Sequence, residues 1–261
     1  MSDGKIDLAI ILAGGRGMRL RPLTDETPKP LLNLLGHGMI FDPTANRVFL
    51  AGYTILDWQL DHLHAAGVKR AVLAVSYMAD RFSYYCGREV RGVRVDCASN
   101  EDPERPLGTW GAVRNAIEGL SLSGPAFILN GDIVTDADLA SMPERARVAT
   151  VMVVHMRSPY GIVDVGMDGL VLGFREKPAL PFLMNGGIYR VEDLKELAEW
   201  GGGFSSLENE VFPTLAHAGL LGAWPIREDA FWRSVDTMKD YQEVLEFVAS
   251  RGYTKDMINQ S

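Results

Sequence analysis

One stretch constrains this chain more than any other. An apolar run, Leu8 to Leu12, empties into Ala13-Gly14-Gly15-Arg16-Gly17-Met18-Arg19, and the chain goes on through Arg21 to Thr27-Pro28-Lys29-Pro30-Leu31. The apolar run reads as a buried strand. Three glycines in close succession permit φ > 0 and let amide N–H groups approach an anion closely, forming the concave nest that holds a polyphosphate. Arg16, Arg19, Arg21 and Lys29 crowd together in a chain whose formal net charge is −8, so their clustering points to a local anionic partner. Prolines on both sides of Lys29 restrict its backbone and predict an extended conformation there. A lysine held that way is aimed before any ligand arrives.

Two commoner glycine-rich loops fit less well. A Walker A loop closes on Gly-Lys-Ser/Thr, where this chain has Gly17-Met18-Arg19, and a dinucleotide fingerprint needs a third glycine where Leu20 stands. With 261 residues the chain can bury a full α/β core. Its acidic balance argues against nucleic acid or an anionic membrane as a partner, which leaves the basic cluster for a small anion. Cys86 and Cys97, the only cysteines, lack metal-ligand spacing and predict a reducing setting. The opening Met1 to Lys5 has no signal-like apolar run, so a soluble, cytoplasmic protein is expected.

Along the chain, strands over Ile6–Leu12, 71–76 and 93–98 alternate with helices over 55–66 and around 81–86, at the spacing of parallel crossovers. Thr54 is placed to cap the first helix and Gly67 to end it. Asn33 to Gly52, with Gly36, Gly38 and Pro43, reads as an irregular excursion. Pro106-Leu107-Gly108-Thr109-Trp110 precedes a helix to about Leu120, and Trp110 suits a core position or a stacking role equally. A short strand at 127–129 delivers Asn130-Gly131-Asp132 at its carboxyl end, where open α/β sheets bind ligands. A carboxylate there can hold a divalent cation, with phosphates and water completing an octahedron. Asp136-Ala137-Asp138 invites comparison with the Asp-x-Asp of glycosyltransferases, but capping before Leu139 explains it more simply.

The second half predicts a strand at 150–156 and an antiparallel hairpin over Ile162–Arg175 with its turn at Met167-Asp168-Gly169. Helices follow over 191–200, from Ser206 to Leu215, and over 237–250 with Met238, Tyr241, Val244, Leu245 and Val248 at helical spacing.

The segment Leu12 to Leu32 resembles the signature of the sugar-1-phosphate nucleotidyltransferases, the NDP-sugar pyrophosphorylases. The resemblance implies a Rossmann-like, three-layer α/β/α fold with a mixed, mostly parallel sheet and a small antiparallel sugar-binding lobe. It implies one domain over 1–261, with residues 1–135 mainly binding nucleotide and 136–261 mainly sugar phosphate. By likeness, Leu12, Ala13, Gly14, Gly15, Gly17, Arg19 and Lys29 would hold the triphosphate, and Glu101, Pro106, Gly108 and Thr109 would form the second nucleotide loop. Gly131, Tyr160, Gly161, Glu176, Lys177, Asn185 and Gly186 would bind sugar phosphate; Asp132 and Asp236 would hold Mg²⁺. The catalytic set becomes Arg19, Lys29, Asp132 and Lys177.

The chain departs from the pattern at Met18, where threonine is commoner, and at Ser234, where many members carry the second metal-binding aspartate. Trp232 to Thr237 is similar to the glucose-1-phosphate cytidylyltransferases, whereas Pro106 to Thr109 and Met184 to Tyr189 are similar to the mannose- or heptose-1-phosphate guanylyltransferases. The expected reaction is Mg-dependent nucleotidyl transfer from an NTP to a sugar-1-phosphate, with guanosine favoured. A cytidylyl- or thymidylyltransferase, or a non-catalytic subunit that senses nucleotide sugar, is the alternative. Partners would be small molecules, with association into a homo-oligomer open.

Overall fold

The computed structural model describes residues 5–42, 47–99 and 106–252. In chain order the strands are β1 (Leu8–Leu12), β2 (Asn33–Asp42), β3 (Arg47–Thr54), β4 (Arg70–Val75), β5 (Arg88–Val90), β6 (Val93–Ser99), β7 (Ala126–Asn130), β8 (Ile133–Thr135), β9 (Ala149–Arg157), β10 (Ile162–Val165), β11 (Val171–Arg175), β12 (Ala179–Val191), β13 (Leu221–Pro225) and β14 (Trp232–Ser234). The helices are α1 (Ile55–Ala65), α2 (Gly108–Gly119), α3 (Leu194–Gly201), α4 (Phe212–His217) and α5 (Met238–Ser250).

Eight strands form a central mixed sheet in the order β13-β9-β12-β7-β1-β4-β6-β5. β1 lies parallel to both β4 and β7, and β4 parallel to β6, while β12 runs antiparallel to its neighbours. β1 is apolar throughout because both of its faces are covered. Ala9 and Ile11 pack toward Leu56, Leu60 and Leu63 of α1, whereas Leu8 and Ile10 pack toward Trp110, Val113 and Ile117 of α2. The chain leaves β1 toward β4 on one side and reaches β7 on the other, so the carboxyl end of β1 is a topological switch point. A third cluster, with Leu20, Trp58, Val134, Val235, Val244 and Val248, seats α5 beside the small β8–β14 sheet.

Local chemistry sets the helix starts. Thr54 accepts from the Asp57 amide while the Asp57 side chain accepts from the Thr54 amide, a full capping box at α1. Thr237 and Asp240 repeat the arrangement at α5. Ser206 accepts from the Asn209 amide at the turn ahead of α4.

Four expectations are corrected. Within the stretch Asn33 to Gly52, residues 33–42 and 47–52 are not irregular: β2 and β3 pair antiparallel, with register shifts between Asn33 and Gly38 where the glycines lie. The helix around 81–86 shrinks to a 3₁₀ turn over Ala79–Phe82, after which the chain turns back into β5. Lys29 is not extended but heads a 3₁₀ turn with Leu31, because Pro30 at the start of a turn forfeits no hydrogen bond. Cys86 and Cys97 are joined by a disulfide with their Cα atoms 5.5 Å apart, since the return from the 3₁₀ turn into β5 and β6 brings them together. No helix among the described residues is long and apolar enough to cross a membrane.

Candidate active site

A cavity of about 380 Å³ opens at the switch point. The loop after β1 forms one wall through Leu12, Ala13, Gly14, Gly15 and Gly17, and Pro106, Gly108 and Thr109 at the start of α2 form another. Lys29, Gly131 and Asp132 also line it. Gly17 sits at φ 58°, in the left-handed region that glycine tolerates, and its carbonyl accepts from the Thr24 hydroxyl at 2.8 Å. Gly131 is required by closeness, since a Cβ there would stand 2.5 Å from the Leu12 carbonyl oxygen. Its amide donates to that same oxygen at 2.9 Å, tying the end of β7 to the end of β1.

Beside this cavity, residues far apart in sequence share charge. Lys29 Nζ donates to Asp132 Oδ2 at 2.8 Å and to Asp236 Oδ1 at 2.9 Å, and Arg19 Nη2 donates to the same Asp236 oxygen at 2.7 Å. The lysine is mostly buried and Arg19 mostly exposed, so the ammonium is the inner charge of the cluster. Burial alone would lower the Lys29 pKa, but the Asp132 charge and hydrogen bonds to Asp132 and Asp236 outweigh it and hold the pKa above its usual value. For Asp236, burial pushes upward, and the Lys29 contact, helped by Ser234 and Arg19, wins and lowers it. Both groups are therefore kept charged.

The two aspartates are also linked through backbone. The Val235 amide donates to the Asp132 carbonyl at 2.9 Å, and β14 pairs with β8 directly after Asp132. On the other flank Gln59 of α1, which is 3% exposed, donates from Nε2 to the carbonyls of Asn130 and Ile133 at 2.9 and 3.0 Å. Its amide thus clamps the turn that carries Asp132. Trp58 Nε1 donates to the Thr135 carbonyl at 3.0 Å, one step further along.

The structure brings some of the residues expected from sequence to this cavity and leaves others elsewhere. Glu101 lies outside the described residues. Thr109 lines the cavity, yet its hydroxyl is engaged, donating to Glu208 at 2.6 Å and accepting from the Leu207 amide at 2.9 Å. Trp110 is fully buried in the α2 core and does not line the cavity, which excludes a stacking role. Asp138 accepts from the Ala140 amide, and Asp136 accepts from the Phe231 amide and pairs with Arg251, so neither belongs to the charged cluster. Tyr160, Gly161, Glu176, Lys177, Asn185 and Gly186 do not line this cavity. Lys177 and Glu176 pair with each other at 3.4 Å on an exposed strand end, with Lys177 at φ 44°. Asn185 donates to the Tyr189 hydroxyl at 2.8 Å and accepts from the Gly187 amide, while the Gly186 carbonyl accepts from Trp232 Nε1 at 2.8 Å.

Asn130, at the strand end already marked by the sequence, lines the cavity too, as do residues that sequence reasoning passed over, Ser76, Ala112 and Asn115 among them. Ser76 directly follows β4 at the ligand edge of the sheet, a position that marks such residues in advance. Ala112 and Asn115 lie one turn apart on α2 and follow from its orientation alone.

Comparison with known proteins places the chain among transferases. The family model described as nucleotidyl transferase matches residues 8–251. The mannose-1-phosphate guanylyltransferase catalytic subunit beta of Drosophila pseudoobscura pseudoobscura is 33% identical over 242 residues, covering 89% of this chain and 60% of the relative. The mannose-1-phosphate guanylyltransferase of Mycobacterium tuberculosis is 31% identical over 253 residues, covering 92% and 64%. This chain therefore spans less than two thirds of the length of those relatives. Among solved structures, HddC from Yersinia pseudotuberculosis, also crystallised in complex with GMP-PN, shares the fold with a TM-score of 0.64 at 23% identity, covering 93% of this chain and 99% of its own.

Proposed function

The chain belongs to the nucleotidyl transferase family, and from that premise we propose that it transfers a nucleotidyl group from a nucleoside triphosphate to a sugar-1-phosphate, giving an NDP-sugar and pyrophosphate. The observation that carries the reading is the convergence of Arg19, Lys29, Asp132 and Asp236 beside a glycine-walled cavity at the switch point. An oxygen of the sugar phosphate attacks the α-phosphorus in line. The bond from that phosphorus to the oxygen bridging the β-phosphate breaks, and pyrophosphate leaves with the electron pair. No covalent enzyme intermediate is needed, so the protein's task is positioning and neutralising charge.

In this reading residues 1–135 mainly hold nucleotide and residues 136–261 mainly hold sugar phosphate. Backbone amides of the loop from Ala13 to Gly17 cradle the phosphates. Lys29 and Arg19 stabilise the triphosphate and the departing pyrophosphate. Lys177 holds the sugar phosphate, with Glu176, Asn185, Tyr160 and the Gly161 and Gly186 backbone around the sugar. The left-handed Lys177 supports a functional role, because strain of this kind, on the order of 1 kcal/mol or more, collects at sites where it is used.

A divalent cation suits the two aspartates. Both already share one cation, the Lys29 ammonium, so their carboxylates reach a common point, and a pair of carboxylates with phosphate oxygens and water makes the usual Mg²⁺ environment. When bound, Mg²⁺ supplies charge neutralisation between the α-phosphate and the incoming phosphate. Asp236 rather than Ser234 meets Lys29, which supports Asp236 as the second ligand.

The mannose-1-phosphate guanylyltransferase names of the relatives favour guanosine and a mannose-type sugar, and the likeness of Met184 to Tyr189 keeps a heptose-type sugar beside it. The Trp232-to-Asp236 arrangement favours cytidine as the second reading. Pyrophosphate release from each common nucleoside triphosphate against a panel of sugar-1-phosphates with Mg²⁺ tests both. GTP with a mannose- or heptose-type phosphate is expected to give the highest kcat/KM. Absence of release from every pair overturns the enzymatic reading in favour of a sensing subunit.

A further inference from the structure

Thr109 and Glu208 stand 99 positions apart in sequence, one in each half of the chain, and the threonine hydroxyl donates to Glu208 Oε2 at 2.6 Å. The Leu207 amide donates back to that hydroxyl at 2.9 Å. The single proton of the hydroxyl and one of its lone pairs are therefore spent within the chain. This contact is one of several that hold α2 against residues 201–208. Leu107, ahead of α2, makes no side-chain cap, and the Ser205 carbonyl serves instead, accepting from the Trp110 amide at 2.9 Å and the Gly111 amide at 3.3 Å. Gly108, at φ 75°, lies so close that a Cβ would stand 2.3 Å from the same Ser205 oxygen. Further along α2, Arg114 Nη1 donates to the Gly202 carbonyl at 2.7 Å.

The clasp is itself braced. Glu210 Oε2 accepts from the Ser205 and Ser206 amides at 2.8 and 2.9 Å, which fixes the turn that presents the Ser205 carbonyl. The Val211 amide then reaches back five residues to the Ser206 carbonyl at 3.2 Å, making one π-helical turn over Leu207–Val211. Such turns are rare and collect at functional sites. Here the turn carries Glu208 to the start of α2, and Ser206 Oγ donates to the same carboxylate oxygen at 3.3 Å.

We propose that Glu208 is a positioning residue for the nucleotide: through Thr109 it holds the start of α2, and with it the cavity wall made by Gly108 and Thr109, in the place the nucleoside triphosphate requires. The inference rests on the reading of Pro106 to Thr109 as the second nucleotide loop. A helix start with no cap of its own leaves donors unsatisfied and frays, so this wall takes its order from the other half of the chain. An ionised acceptor makes a hydroxyl hydrogen bond shorter and about twice as strong as a neutral one, which accounts for a carboxylate at position 208. Glu208 thus lies in the half assigned mainly to sugar phosphate while its effect falls on nucleotide. That crossing separates the proposal from a local structural role.

Isothermal titration of GTP with Mg²⁺, and of CTP in parallel, into the full chain without sugar phosphate tests it apart from turnover. Glu208→Ala is expected to raise the Kd of the tighter nucleotide about tenfold, as loss of a hydrogen bond to a charged group does. KM for that nucleotide is expected to rise by as much, while kcat and KM for the sugar phosphate stay within about threefold. Glu208→Gln keeps an acceptor oxygen and is expected to bind only about threefold more weakly than the wild type. Thr109→Val removes the other end of the bond and is expected to match Glu208→Ala, with no further loss in the double variant, because two changes to one contact do not add. Should Glu208→Ala fail to fold, Glu208→Gln is measured in the Thr109→Val background, where a further loss of about threefold overturns the proposal and none supports it. A folded Glu208→Ala chain that binds nucleotide as the wild type does, or one whose KM moves for the sugar phosphate instead, also overturns it. A wild-type chain that binds neither nucleotide overturns both this inference and the proposed reaction. Binding without pyrophosphate release overturns the reaction alone, and the Kd series still decides the role of Glu208.

Discussion

Lys29 Nζ lies 2.8 Å from Asp132 Oδ2, joining residues 103 positions apart in sequence, and the same nitrogen reaches Asp236 at 2.9 Å. The ammonium thus occupies the point where two carboxylates converge. Whatever cation comes to those carboxylates must share them with Lys29 or displace it.

Replacing Lys29 by methionine therefore separates two roles. The variant keeps the length of the side chain and removes its charge, leaving Asp132 and Asp236 to repel each other until a metal binds. Turnover is expected to fall about a hundredfold, close to 3 kcal/mol of barrier. Mn²⁺ affinity of the nucleotide-free protein, followed by electron paramagnetic resonance, is expected to rise. Loss of both turnover and metal affinity would mean that Lys29 organises the carboxylates rather than competing for them.

The two aspartates can be distinguished from their neighbour by parallel substitutions. Asp132→Ala and Asp236→Ala are each expected to cut pyrophosphate release at least about a hundredfold, with circular dichroism unchanged. Ser234→Ala removes only the 3.1 Å hydrogen bond to Asp236 and is expected to cost less than about fivefold. If Ser234→Ala proves the most damaging of the three, the second metal ligand has been misassigned.

Much of this site was readable from residue order, for a physical reason. The apolar β1, its glycine-rich exit and the Pro-Lys-Pro segment are local patterns, and local patterns survive into the fold. Pairings made across the chain left no such trace. Asn33 to Gly52 looked irregular because glycines break the alternation by which a strand is recognised, yet β2 and β3 supply each other's backbone partners. Trp110 suits core and cavity equally by its sequence position, and only the packing of α2 assigns it to the core. Gln59 was invisible, since a glutamine on an amphipathic helix gives no sign that its amide closes a turn seventy residues away.

Gln59 is consequently the sharpest test of how the site is held. Its Nε2 must face Asn130 and Ile133, because both partners are carbonyl acceptors. Gln59→Leu leaves those acceptors buried without a donor and is expected to cost about 1–3 kcal/mol of stability. More tellingly, kcat is expected to fall about tenfold or more while KM for the nucleotide stays within about threefold, since the turn it clamps carries Asp132 and not the phosphate loop. A loss of activity that merely follows the unfolded fraction would reduce Gln59 to a packing residue.

A last prediction concerns acid. His62 of α1 stacks on Trp58 with ring centroids 4.7 Å apart, and burial lowers its pKa below 6.5 despite the Trp58 carbonyl and the nearby Asp61 and Asp136 charges. Below pH 6.5 the unfolded chain takes up a proton at this residue that the folded chain resists. The unfolded state then binds more protons, so stability falls as pH drops from 6.5 toward the lowered folded value, and is fully present above 6.5. Urea unfolding at pH 7.5 and pH 5.5 is expected to show a smaller acid loss in His62→Gln than in the wild-type protein. Equal losses in both would mean that the imidazole takes up its proton as readily in the folded chain as in the unfolded one, and that the stacking on Trp58 tolerates the charge.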